Sequence, residues 1–213
     1  MKLFCSVSHP RSGIHWTLRT IFANFKTPYS EYLQMFGTHE LDMAKLQQKK
    51  PDACILHVAR DIQFVLMSVF RMRERNGISS QFDFHNFLRT KYCDMPKTHK
   101  QTTMMFFEQS RKTQSARSWI QQQPHTPPEL WLLTNLYWRK LGITTVTYEQ
   151  MKQDQQSVMD VVQQMTKWES KKPTTITKTV GWHPPNNNSF EVSDVDKKLI
   201  DDFRKRFDTE MNS

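Results

Sequence analysis

The sequence predicts an α/β fold in three layers, a parallel sheet with helices on both faces. Three observations lead there. Leu3 to Val7 and Ala53 to Ala59 are short apolar runs of strand length, and each gives way to residues at helical spacing. A third run, Ile143 to Tyr148, lies between two helix-spaced segments. Strands that alternate with helices belong to a parallel sheet, because a parallel pair needs a long crossover and a helix usually supplies it. With 213 residues, the expectation is one domain over 1–213 with a sizeable core.

The first strand holds Leu3, Phe4 and Val7, and His9-Pro10 breaks it because proline has no N–H for a ladder. Arg11-Ser12-Gly13 makes the turn. Trp16, Leu18, Ile21, Phe22 and Phe25 then mark a helix that Thr27-Pro28 ends. Glu31 to Phe36 reads as a short strand, and Gly37-Thr38-His39 as a turn into a helix with Leu41, Ala44 and Leu46. Lys49-Lys50-Pro51 closes that helix, since lysines suit a helix C-terminus and proline cannot continue it. Ala53 to Ala59 is the clearest buried strand. Asp61 caps the helix after it, which carries Val65, Leu66, Val69 and Phe70 and runs through Arg75 to Asn76-Gly77.

Residues 78–128 differ in composition. They are rich in Gln, Thr, Ser and His, with aromatic islands at Phe82, Phe84, Phe87 and Trp119, and end in a Gln- and Pro-rich loop at 121–128. They read as an inserted cap of short helices and loops. Regularity returns at Glu129: Leu130, Leu133, Leu136 and Leu141 are helical, Gly142 is the C-cap, and the strand 143–148 follows. Val158, Val161, Val162, Met165 and Trp168 mark the next helix. After a basic stretch, the Ser193/Asp194 cap opens a last helix with Leu199, Ile200, Phe203 and Phe207.

A net charge of +9 favours anionic ligands or partners. Three cysteines without C-x-x-C spacing argue for a reducing compartment and against a disulfide framework. No apolar run reaches membrane-spanning length and no leader precedes the first strand, so the expectation is a soluble cytoplasmic protein. The eight histidines lack metal-site spacing, and no metal is expected.

The stretch Ser8 to Trp16 carries the chemistry. A loop with Arg, Ser and Gly stands where a strand hands over to a helix N-terminus. There, free backbone N–H groups and the helix dipole suit a phosphate or sulfate. Neither G-x-x-x-x-G-K-[ST] nor G-x-G-x-x-G is present. The pattern S-x-P-R-S-G-x-x-W resembles the 5′-phosphosulfate loop of sulfotransferases that use 3′-phosphoadenosine-5′-phosphosulfate (PAPS). The resemblance implies a P-loop, nucleotide-kinase-like sulfotransferase fold. It also implies that Arg11, Ser12, Gly13, Ile14, His15 and Trp16 hold the cofactor, with Trp16 on the adenine. Ile14 and His15 stand where the family usually has two threonines.

Further segments are similar to the same family, over residues 3–76 and 129–207. His57 to Ser68 (HVARDIQFVLMS) resembles its 3′-phosphate motif, which implies that Arg60 and Ser68 grip that phosphate. Gly37-Thr38-His39 resembles its K-[ST]-H segment, which implies His39 as the base for the acceptor's proton. Histidine suits that role at neutral pH. Thr147 to Asp154 is similar to the strand-ending Y-E-D segment, which implies that Tyr148 reaches the adenine. Lys178 to His183 resembles the late loop, where Lys178 stands in a 3′-phosphate element that is not intact. The implied reaction moves a sulfuryl group from PAPS to a hydroxyl or amine of a small molecule or glycan, leaving PAP. Arg11 would stabilise the leaving phosphate.

Two other classes fit parts of the sequence. Cys5 and Arg11 match C-x₅-R, as in cysteine-dependent phosphatases, but Cys5 falls early in the strand and Pro10 lacks a loop donor. Charge and aromatics suit a nucleic-acid-binding protein, yet the basic residues are scattered and no recognition motif appears.

Overall fold

In a computed structural model of the chain, β1 (Leu3–Ser8) is the strand on which a four-stranded parallel sheet is built. The structure describes residues 3–9, 11–30, 36–38, 43–49, 51–75, 82–95, 123–176 and 191–212. After β1 come α1 (Ile14–Asn24), β2 (Phe36–Thr38), α2 (Met43–Lys49), β3 (Ala53–Ala59) and α3 (Ile62–Arg75). Next are α4 (Phe84–Arg89), a 3₁₀ turn at Tyr92–Asp94, α5 (Pro127–Lys140), β4 (Thr145–Thr147), α6 (Tyr148–Gln153), α7 (Gln155–Thr166) and α8 (Asp194–Asn212). The strand order is β2-β1-β3-β4.

The described residues gather into two compact units. One comprises Met1–Asp61 with Tyr137–Ser189, the other Ile62–Leu136 with Phe190–Ser213. The first unit holds the sheet. Its pairing register sets alternate residues on opposite faces: Phe4 pairs with Cys54, Ser6 with Leu56 and Ser8 with Val58, while Cys5 pairs with Ile55 and Val7 with His57. Phe4, Leu56, Val58 and Val146 meet Ile14, Leu18 and Ile21 of α1, Met151 of α6 and Val158 and Val162 of α7. On the other face Cys5 and Val7 meet Leu46 of α2 and Trp138 from the last turn of α5. Helices therefore cover both faces, as expected. β1 and β3 are mostly apolar because most of their residues are buried, on both faces of the sheet.

Trp168 closes the first core. Its ring centroid lies 5.8 Å from that of Phe4, 6.4 Å from Phe25 and 6.2 Å from Tyr29. The segment after α7 pairs back along the end of α1: Lys26 N–H donates to Glu169 O (2.8 Å) and Lys171 N–H to Asn24 O (2.7 Å).

The second unit is helical among its described residues. Phe70 of α3 packs against Phe84 (5.3 Å) and Phe87 (5.4 Å) of α4, and Phe87 meets Tyr92 edge-on at 6.2 Å. Trp131 of α5 lies 5.4 Å from Phe207 of α8. Asp196 of α8 has a side chain only 4% exposed and is held by Arg89 (2.6 Å) and His85 (3.0 Å). Ser193 gives it a third bond (2.7 Å) while capping the helix by accepting from Asp196 N–H (3.2 Å).

Several boundaries differ from those the sequence predicts. The second strand is Phe36–Thr38, where a turn was expected at Gly37-Thr38-His39. Cys5, Ser6 and Val7 pair with Phe36, Gly37 and Thr38, so the open edge of β1 recruits a glycine that locally favours a turn. Residues 31–35, the rest of the expected strand, lie outside the described residues. The strand at 143–148 is only Thr145–Thr147, because Thr147 and Gln150 form a reciprocal capping box and Tyr148 starts α6. α5 begins at Pro127 rather than Glu129; prolines are at home in a first turn, and the Glu129 carboxylate accepts from Thr126 N–H at 2.7 Å. The helix expected through Trp168 stops at Thr166, where Lys167 adopts a left-handed φ of 57°.

Candidate functional site

The connections leave β1 toward β2 on one side and β3 toward β4 on the other. In open parallel sheets this reversal opens a crevice beyond the carboxyl ends of the two central strands, where ligands bind. Two segments end there: Ser8-His9 into the loop 11–13, and Ala59 into Arg60. Ser8, His9 and Ser12 are fully buried.

The loop is held in an uncommon shape. Arg11 has φ 74° and Gly13 φ 96°, both left-handed, and Ser12 N–H closes a turn onto His9 O at 3.2 Å. For arginine that geometry is strained, and such strain clusters at ligand sites. Gly13 is the N-cap of α1 and supplies no side chain to it; the first backbone bond of the helix is Thr17 N–H to Gly13 O at 3.0 Å. No side-chain cap covers the leading N–H groups of α1, an arrangement that suits an anion. Ser12 Oγ is buried and finds no hydrogen-bond partner among the described residues.

Tyr148 arrives from the far end of β4 and seats its ring against this loop. A β-carbon built on Gly13 would stand 2.5 Å from Tyr148 Cδ2. The Trp16 ring lies 4.8 Å from the Tyr148 ring at 58°. The Arg60 guanidinium carbon sits 4.1 Å over the Tyr148 ring, and Arg60 Nη1 donates to Arg11 O at 3.3 Å. Arg60 therefore bonds the phosphate-type loop and covers an aromatic face at once. Glu149 does not cap its own helix; its carboxylate accepts from Asp61 N–H at 3.5 Å, beside Arg60.

Arg11 and Arg60 bring positive charge to the loop, with the Glu149 carboxylate close by. His15 lies in the first turn of α1, and burial followed by the neighbouring Arg11 charge holds its imidazole below the ordinary value. It is neutral at pH 7 and able to accept a proton. On the far face of the sheet, burial and then Arg139 lower His57 to about 3, while its Nδ1 lies 3.1 Å from Thr145 Oγ1. His57 is a core residue.

The structure thus brings Arg11, Ser12, Gly13, His15, Trp16, Arg60 and Tyr148 to one place. Ile14 contributes its backbone, with its side chain buried in the core. Ser68 lies within α3, in the second unit. His39 and Lys178 lie outside the described residues. Cys5 is buried with Val7, Leu46 and Trp138, away from the loop end of its strand.

Two residues escaped the sequence reading, Gln155 and Asn24. Trp16 Nε1 donates to Ile176 O at 2.8 Å, and Gln155 brackets Ile176, donating to its carbonyl (2.8 Å) and accepting from its N–H (3.1 Å). Asn24 does the same to Thr174, at 2.9 and 2.7 Å. Nothing in a sequence separates such amides from ordinary surface ones.

Among the described residues, no group of three or more His, Cys, Asp or Glu is placed to hold a metal ion, and no helix is long and apolar enough to cross a membrane. Comparison with protein-family models, with curated proteins and with solved structures finds no match to this chain.

Proposed function

We propose that this chain is a PAPS-dependent sulfotransferase of P-loop-like architecture, transferring a sulfuryl group to a hydroxyl or amine. The observation that carries the reading is the convergence of three distant stretches on one crevice: the Arg11–Trp16 loop, Arg60 and Tyr148. Each belongs to a separate motif that resembles one of the sulfotransferase family's. In this reading the α1 N-terminus and Arg11 take the 5′-phosphosulfate and stabilise charge on the departing phosphate. Trp16 and Tyr148 supply aromatic faces for the base, and Arg60 takes the 3′-phosphate. His39 takes the acceptor's proton as the new S–O bond forms and the bond to the 5′-phosphate breaks.

The core position of Cys5 weighs against the phosphatase reading, since a thiolate nucleophile must stand at the floor of its anion loop. Cys5→Ser, compared per folded protein, should leave transfer nearly unchanged.

The test is ligand choice. PAP should bind far more tightly than 5′-AMP or ATP by calorimetry. Arg60→Ala should remove most of that preference, roughly 1.5–3 kcal/mol for a lost charged hydrogen-bond partner. Equal wild-type affinity for PAP and 5′-AMP rejects the reading, and preference for single-stranded DNA over PAP supports a nucleic-acid-binding protein instead.

A further inference from the structure

We infer that Gln155 and Asn24 are positioning residues for the nucleotide, acting through the backbone of residues 174–176 on the indole of Trp16. The inference rests on the proposed nucleotide site for its ligand, and on hydrogen-bond geometry for its mechanism. The carbonyl of Ile176 accepts from two donors, Trp16 Nε1 and Gln155 Nε2, both at 2.8 Å. Gln155 also accepts from Ile176 N–H at 3.1 Å, so its planar amide pairs with this one residue as a neighbouring strand would. Asn24 pairs with Thr174 in the same way, at 2.7 and 2.9 Å, and anchors itself by donating to Thr20 O at 2.8 Å.

The consequence falls on Trp16. Its ring lies 4.8 Å from Tyr148, with one edge tethered to a segment that α1 and α7 clamp from either side. An indole held only by stacking can rotate about χ1 and χ2; one whose N–H is tied to a clamped carbonyl has its plane fixed before ligand arrives. Preorganisation of this kind lowers the cost of binding without adding any contact to the ligand. The two amides never touch the nucleotide, yet they set the wall it stacks on.

The indole N–H of Trp16 gives a direct readout by ¹H–¹⁵N NMR, assigned by its disappearance in Trp16→Phe. In the ligand-free protein, Gln155→Ala should speed its solvent exchange about tenfold, the effect of losing one or two average hydrogen bonds around the tethering carbonyl. The same variant should raise the Kd for PAP and the KM for PAPS by a similar factor while kcat stays put. Trp16→Phe keeps a ring and loses the tether, so adding Gln155→Ala to it should weaken PAP no further than Trp16→Phe alone, because both break one linkage. Unchanged exchange in Gln155→Ala would overturn the tether. Faster exchange with unaltered PAP affinity, or additive losses in the double variant, would overturn the positioning role. A wild type that ignores PAP overturns the nucleotide reading, and the positioning role with it, while the exchange data report on the tether separately.

Discussion

Gly13 and Tyr148 are fitted to each other so closely that residue 13 has no room for a side chain: its β-carbon would meet the tyrosine ring at 2.5 Å. The same glycine has φ 96°, a conformation that L side chains rarely adopt. Two independent constraints therefore act on one position in the loop.

Gly13→Ala should accordingly destabilise the protein by about 2–4 kcal/mol, combining backbone strain with overpacking against a ring. Urea unfolding measures it. Adding Tyr148→Ala should return the steric share and leave the backbone share. No recovery in the double variant would mean that the ring is not what the β-carbon meets.

His57 should impose a slope on stability in mild acid. Its folded value is about 3 against an ordinary 6.5, so between those limits the unfolded chain binds a proton that the folded chain refuses. Stability then falls as pH drops from about 6.5 toward about 3, by roughly 1.4 kcal/mol per pH unit, and His57 contributes no slope above that window. His57→Asn should lose one proton's worth of this dependence in urea midpoints taken at several pH values. A variant as steep as the wild type would assign the slope to other groups.

Asp196 should act in the opposite part of the acid range. Burial pushes its carboxyl up, but Ser193, Arg89 and His85 together outweigh burial and hold it below the ordinary value. Its contribution is present above the ordinary carboxylate range and disappears as pH falls through the lowered folded value. Asp196→Asn should cost about 2 kcal/mol at pH 7, less than for a fully buried pair because Arg89 and His85 are partly exposed. Chemical denaturation at neutral pH tests this, and a neutral outcome would show that the network adds no net stability.

Substitutions at two histidines test which one would take the proton in the proposed transfer. His39→Ala should bind PAP like the wild type and transfer sulfate at least about a hundredfold more slowly, the usual effect of losing a general base. Arg11→Ala should harm both binding and turnover, since in the proposed reaction its charge would meet the cofactor before and during transfer. His15, neutral beside Arg11, is the competing base. Near-normal turnover in His39→Ala with loss in His15→Ala would move the base into the phosphate loop.

The sheet was legible because β1 and β3 are largely buried and so read as mostly apolar runs, interrupted by serines in β1 and by His57 in β3; Ala53–Ala59 matches its predicted bounds residue for residue. β2 was misplaced because its short span contains Gly37, and only the exposed edge of β1 makes it a strand. In the site, Arg11, Arg60 and Tyr148 were legible as residues just beyond strand ends, and Trp16 as an aromatic in the first turn of α1. Their mutual contacts were not, since they depend on how far each helix and strand advances before turning. Gln155 and Asn24 left no local signal at all: their role exists only through the backbone they grip.

The parallel order β2-β1-β3-β4 also sets a timetable for the nascent chain. β1 leaves the ribosome first but cannot find β3 until the intervening helices have been made, and β4 comes only after residues 60–144. More than half of the chain separates Gly13 from the ring that rests on it. Contacts across such distances in sequence form late and slowly. A polypeptide halted before Thr145 can own the Arg11–Gly13 loop and Arg60 yet lack the Tyr148 ring that rests on them, so this cluster closes only after β4 has been made.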